Sequence, residues 1–338
     1  MLINRILIVG YGSIGKKHLK LAREILPQAD IRVLRHKVHG DIPQYSNGLF
    51  FNIDEAINFA PQLAVIANPS AFHVSTAIKL ASSGVHLLIE KPLSNNLTDV
   101  TKLLNIAHQN KIKLMTGYNL RFLPSLDFFR NIIKKKSIGK ILTVHSEVGQ
   151  YLPSWRKDLD YSSSVSANQK LGGGALLELS HEIDYLLWVF GEIDWVKSNL
   201  SMQSSLDIDV EDSVKIIMGF KENEDNIKLI ASVNLDFIRH DTTRFCTAIG
   251  ENGSLRWNGI SGKVEIYESN ASKWKTIFDT KYNSDYSYIS EWKDFLECIQ
   301  ENKIPLVSGD DGLNVLKVIH AVKKSSKSEG QLIDIDAN

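Results

Sequence analysis

Cysteine is scarce in this sequence: Cys246 and Cys298 are the two thiols in 338 residues. So few, so far apart, they argue against a disulfide scaffold and fit free buried thiols in a cytoplasmic protein. No Cys/His cluster has zinc-ligand spacing, so no metal is expected. Net charge is missing as well, with 39 Lys and Arg against 39 Asp and Glu. Domains that hold phosphate backbones usually carry a basic excess, so no nucleic-acid partner is expected. No apolar run approaches the roughly 18 residues a membrane span needs. The opening Met1-Leu-Ile-Asn-Arg5 lacks the ordered charged, apolar and cleavage regions of a secretion signal. These absences point to the cytoplasm and away from a membrane. What remains is the composition of a globular chain, 43% hydrophobic and 23% charged, too long for one ordinary core. Two domains are expected.

Arg5-Ile-Leu-Ile-Val9 is a short apolar run of the kind that forms a strand buried on both faces. From Ile14 to Ile25 the spacing becomes helical, with Ile14, His18, Leu21 and Ile25 on one face. Strands are expected at 31–34, 63–67, 85–89 and 113–117, with helices at 71–82 and 97–109; Gly84 stops the first of these helices. Strands alternating with helices predict a parallel sheet with right-handed crossovers. The rhythm breaks after Tyr118. A helix is expected at 124–135, a strand at 140–149, an irregular loop at 151–171, and a helix opening at Gly172-Gly-Gly174 and running to Phe190. Six strands follow, at 195–204, 212–220, 227–238, 243–250, 253–258 and 263–268, divided by polar turns such as 222–226. Short turns between consecutive strands predict an antiparallel sheet. Helices return at 287–301 and 310–325.

Gly10-Tyr-Gly12-Ser13-Ile14-Gly15 fits G-x-G-x-x-G, and it sits directly between an apolar strand and an amphipathic helix. The first glycine permits the turn, the second lets a pyrophosphate approach, and the third lets helix and strand pack; the helix N-terminus offers N–H groups to phosphate. This is the signature of a Rossmann dinucleotide-binding domain. An acid about 20 residues further on would bond the ribose 2′-hydroxyl of NAD. Here that stretch reads Leu34-Arg35-His36-Lys37. Arg35 suits a 2′-phosphate or an adenine face, so NADP is favoured over NAD.

Further pieces lie in order along the chain: Asn68-Pro69-Ser70 with His73; Gly84-Val-His-Leu-Leu-Ile-Glu90-Lys91-Pro92-Leu93; Gly117-Tyr-Asn119-Leu-Arg121-Phe122; Ile138-Gly139-Lys140-Ile141; and Gly172-Gly-Gly174 ahead of His181 and Asp184. Together they make the sequence resemble the Gfo/Idh/MocA family of NAD(P)-dependent oxidoreductases over nearly its whole length. The resemblance implies an N-terminal Rossmann parallel sheet, residues 1–122. It implies a C-terminal α/β domain with a large, mostly antiparallel open sheet, residues 123–338, whose helix at 310–325 packs back toward the first domain. It also implies a sugar, inositol or nucleotide-sugar substrate, and it gives catalytic roles to Lys91 and His181.

The chemistry of these side chains agrees. Oxidising a secondary alcohol needs a hydride acceptor, which nicotinamide supplies, and a group to take the hydroxyl proton, which histidine suits. A lysine orients the oxygen and stabilises developing negative charge. Pro92 biases Lys91 toward extended backbone. The expected cofactor contacts are Gly10, Gly12, Ser13, Ile14, Gly15, Arg35, His36, Asn68, Pro69, His73, Glu90, Lys91 and Asn119. The expected substrate contacts are Glu178, Asn119, Arg121, Tyr151, Trp155, Arg156 and Asp184. Many relatives carry an Asp four residues before the helix histidine; this chain has Glu178 three residues before His181, still on one helical face. Arg121 has a structural alternative as an ion-pair partner, and Asp184 has one as a partner of His181. Sheet faces at Val214/Ile216 and Ile230/Ser232/Asn234 suggest a homodimer or homotetramer through the C-terminal sheet. Two other functions stay open: a redox-neutral enzyme that recycles its NAD, and a non-enzymatic NAD(P)-sensing regulator.

Overall fold

The computed structural model describes residues 3–36, 40–156, 160–222 and 228–336. Lys37, part of the turn expected at 222–226, and the start of the strand expected at 227 lie outside the described residues. The chain forms two compact units: Met1–Tyr118 with Tyr288–Leu316, and Asn119–Ser287 with Lys317–Asn338.

The first unit is built on a six-stranded sheet. Its strands are β1 (Arg5–Val9), β2 (Asp30–Leu34), β3 (Gly48–Phe50), β4 (Leu63–Ile66), β5 (His86–Glu90) and β6 (Leu114–Gly117). They run parallel in the order β3-β2-β1-β4-β5-β6. Ile6, Leu7, Ile8 and the whole of β4 are buried, as a sheet covered on both faces requires. Each such aliphatic side chain contributes about 1.5–3 kcal/mol by leaving water. The connecting helices are α1 (Ser13–Ile25), α2 (Ile53–Asn58), α3 (His73–Ser82) and α4 (Val100–Gln109). α1 buries His18, Leu19, Leu21 and Ala22, and Gly84 follows α3 at φ +77°. β3 and α2 were not anticipated. Three strand residues and six helical ones are too short for periodicity to register.

In the second unit α5 (Pro124–Lys134) starts on a proline, which suits the first helical position. A nine-stranded sheet follows: β7 (Ile141–Gly149), β8 (Ile193–Ser201), β9 (Ser213–Phe220), β10 (Ile230–Asp236), β11 (Thr243–Gly250), β12 (Gly253–Asn258), β13 (Lys263–Glu268), β14 (Lys275–Asp279) and β15 (Ile333–Asp334). Its order is β14-β13-β12-β11-β7-β10-β9-β8-β15, and every pair is antiparallel except β7 with β10. The helices α6 (Ala175–Glu178) and α7 (His181–Phe190) pack on one face of it. The remaining α-helices among the described residues are α8 (Tyr286–Glu301) and α9 (Gly309–Lys327).

Two expectations change here. Val214 and Ile216 are 0% and 2% exposed, so they lie on the covered face of the sheet. Side chains alternate along a strand, and the open face instead carries Ile217 and Ile230, 48% and 45% exposed. The helix expected from Gly174 to Phe190 is also two helices. Leu179 leaves helical geometry at φ −101°, ψ 22°, and the Ser180 hydroxyl donates back to the Leu177 carbonyl.

Candidate functional site

The polar groups of the first unit gather at the C-terminal ends of its strands. The backbone of Gly10 turns at φ +93°, and a side chain there would sit 2.6 Å from the Ala67 carbonyl oxygen. One at Gly15 would collide with the Gly10 carbonyl, so the third glycine lets the helix seat on the turn. Gly12 differs, because a Cβ there would meet nothing within 4 Å. The absent side chain leaves an open concavity at the start of α1. That helix has no side-chain cap and no acid in its first turn, so its N–H groups and dipole are left for an anion. Beside the turn, Asn68 spends its amide N–H on Thr76, while its Oδ1 is buried with no hydrogen-bond partner among the described residues. A glycine cradle, an uncapped helix start and an unanswered acceptor fit a dinucleotide carrying a pyrophosphate and an amide.

Arg35 follows β2 and lies over the Tyr11 ring at 5.3 Å, with Lys16 at 5.2 Å from the same ring. His36 is exposed next to it. Tyr11 and Lys16 were missed by sequence reasoning; their position beside the motif glycines was the available signal.

Two residues expected to touch cofactor have other duties. His73 is 1% exposed, with Nε2 2.7 Å from the Asn68 carbonyl and Nδ1 3.0 Å from that of Pro92. It ties the end of β4 to the segment after Lys91, and burial outweighs these carbonyls to lower its pKa below 6.5. Glu90 is 6% exposed. One of its oxygens lies 2.7 Å from His18 Nε2, and the other accepts the backbone N–H of Lys91. Lys91 itself is half-buried at the end of β5.

In the second unit a helix break falls between Glu178 and His181. The two belong to different helices, and Glu178 accepts a hydrogen bond from Ser166 at 3.1 Å. His181 is the first residue of α7 and half-buried. Arg121 and Asp184, expected among the substrate contacts, form an ion pair at 2.7 Å with side chains 4% and 0% exposed. Both carboxylate oxygens accept from the guanidinium, which is the structural alternative for Arg121. Asn119 is buried and donates to Ser287. Of the aromatic candidates, Tyr151 stacks on His240 at 4.1 Å, and Trp155 packs edge-on against Phe237 while donating to the Gln150 carbonyl. Trp155 and Arg156 join Leu152, Asp160, Tyr161 and Ser166 around a shallow depression. Among the described residues no group of His, Cys, Asp or Glu could hold a metal ion, and no helix is long and apolar enough to cross a membrane.

A parallel sheet ordered 3-2-1-4-5-6 with a glycine cradle at its first turn defines a dinucleotide-binding protein of the Rossmann type. Residues 4–118 match the NAD-binding Rossmann fold of an oxidoreductase family, and residues 130–334 match the C-terminal alpha/beta domain of that family. The chain belongs to the Gfo/Idh/MocA oxidoreductase family. It is 24% identical over 273 residues to myo-inositol 2-dehydrogenase of Thermotoga maritima, covering 77% of this chain and 76% of that one. It is 20% identical over 226 residues to glucose-6-phosphate 3-dehydrogenase of Bacillus subtilis, covering 64% and 62%. Across several curated relatives it matches, the chain spans 40 to 62% of their length. The fold is shared with the WlbA dehydrogenase of Bordetella pertussis, solved with NADH and UDP-GlcNAcA, at a TM-score of 0.81 and 19% identity over 100% of both chains.

Proposed function

We propose that this chain is an NAD(P)-dependent dehydrogenase acting on a secondary alcohol or ketone of a sugar-like molecule. The observation that carries the reading is the open glycine turn at an uncapped helix start, with the unanswered Asn68 acceptor beside it. The dinucleotide would supply the hydride chemistry when bound. Gly12, Ser13 and Ile14 would offer backbone N–H groups to its phosphates, and Asn68 would accept from its amide. Lys91 would hold the reacting oxygen and stabilise negative charge on it. His181 would accept the hydroxyl proton. Trp155, Arg156 and Tyr161 would line the sugar subsite, their aromatic faces suiting a ring and the guanidinium an anionic substituent.

NADP is the preferred dinucleotide in this reading. Arg35, with Lys16 near the same Tyr11 ring, presents two cations where an NAD-selective domain presents an acid. Assembly would use the open face of the nine-stranded sheet, where Ile217 and Ile230 are exposed.

The test is fluorescence titration with NADPH and NADH, followed by turnover assays on myo-inositol, glucose 6-phosphate and a UDP-linked uronate. NADPH is expected to bind more tightly, and at least one alcohol is expected to reduce NADP. In Lys91→Ala, turnover is expected to be abolished, with cofactor affinity kept within threefold. Near-normal turnover in that variant would remove the assignment of Lys91. Binding without turnover on any such alcohol or ketone would remove the dehydrogenase reading.

A further inference from the structure

Behind Lys91, within the first unit, lies a buried polar cluster that the proposed chemistry does not use. His18 on α1 is 0% exposed. Its Nδ1 lies 3.0 Å from Trp292 Nε1, and its Nε2 lies 2.7 Å from Glu90 Oε1. The indole N–H can only donate, so Nδ1 must be the acceptor and carry no proton. The ring proton is therefore on Nε2 and is donated to Glu90. Three bonds then run in series: Trp292 to His18, His18 to Glu90, and the Lys91 backbone N–H to the other Glu90 oxygen at 3.1 Å. Gly117 on the neighbouring strand makes room for this carboxylate, since a Cβ there would sit 3.3 Å from Glu90 Oε2. Tyr288 closes the cluster with its ring edge-on to the imidazole at 5.8 Å.

We propose that His18 is a positioning residue for Lys91, acting through Glu90. Resting on α1 and tied to α8, it fixes the carboxylate that holds the backbone from which the Lys91 ammonium projects. Glu291 is next to Trp292 on α8. It is 0% exposed, and neither of its oxygens has a hydrogen-bond partner among the described residues. Burial first, and then the charge of Glu90, push its pKa well up.

The inference rests on the reading of Lys91 as catalytic, and its test has one arm that needs no substrate. Amide hydrogen exchange in the peptide covering residues 88–93 is expected to rise at least tenfold in His18→Leu. In His18→Gln, whose amide can still donate to Glu90, it is expected to stay near wild type, and amides of β1 are expected to hold in both. In turnover assays on the alcohol panel, His18→Leu is expected to lose about 100-fold in kcat, the scale of a misplacement near 1 Å. NADPH affinity should stay within threefold, and His18→Gln should recover most of the rate. If His18→Leu fails to fold, Trp292→Phe removes only the indole N–H and is expected to show a smaller change of the same kind. Unchanged exchange at residues 88–93 in the folded variant overturns the proposal. So does an equal loss of kcat in the Leu and Gln variants. Wild-type protein without turnover would instead sink the dehydrogenase reading, leaving the exchange arm to decide the role of His18.

Discussion

The two units treat buried charge differently. In the second, Arg121 meets Asp184 and Arg244 meets Glu182, and each carboxylate takes more than one guanidinium contact. In the first, the Glu90 carboxylate is answered by a neutral imidazole and a backbone N–H, and Glu291 and Asn68 Oδ1 are left unanswered among the described residues. Buried polar groups are normally satisfied, and an unsatisfied one costs about 1–3 kcal/mol. Fully paired ions behave as struts. Of the polar atoms kept short of partners, Asn68 Oδ1 lies beside the glycine turn, where a ligand would complete it, while in the second unit the Ser164 hydroxyl lies at the depression beside Trp155.

That contrast can be broken most forcefully in the second unit. Asp184→Ala leaves the Arg121 guanidinium buried without its main partner and is expected to cost about 3–5 kcal/mol, measured by chemical denaturation. A loss under about 1 kcal/mol would show that Arg121 reaches water and that the pair is no strut. Next in size, Arg35→Ala is expected to weaken NADPH about tenfold, or about 1.4 kcal/mol, with NADH affinity unchanged in the same titration. Equal weakening of both dinucleotides would take the 2′-phosphate role from Arg35. The smallest effect concerns Glu291. Its pKa in the folded state is raised above the ordinary 4.5, so its contribution to stability is complete below about pH 4.5 and declines as pH rises toward the folded value. Glu291→Gln removes that titration. Melting temperature in the variant is expected to fall less between pH 5 and pH 8 than in the wild type, by a few degrees (about 1–2 °C per kcal/mol for a chain of this size). Parallel curves would mean that Glu291 ionises freely.

The glycine turn and the parallel sheet were legible because their information is contiguous. Continuous apolar runs such as Leu63–Ile66 can only be buried strands or helix cores, and their length decides between the two. The six-strand pattern of the second unit was legible for the same reason. β14 and β15 were missed, since a mostly exposed edge strand and a two-residue strand leave little pattern. The polar architecture was not legible. His18 meets Glu90 across 72 positions and Trp292 across 274, and no local rule connects them. The break between α6 and α7 was hidden because Leu179 and Ser180 include no proline or glycine. Distant residues also hold the start of α6, with the backbone N–H of Ala175 bonded to the Glu211 carbonyl and that of Leu176 to the Glu211 side chain. Arg121 had been weighed as structural, but the identity of its partner needed coordinates.

The place of β7 in the large sheet bears on how the chain comes off the ribosome. It is the first strand of that sheet to be synthesised, yet its neighbours are β10 and β11, made long afterwards. Until they emerge, a nine-residue segment has both lengthwise borders unsealed. Closure depends on contacts distant in sequence, which slows it and lengthens exposure to self-association during synthesis. Overproduction in a host with limited holdase capacity should therefore deposit this protein as inclusion bodies, and slower translation should recover it.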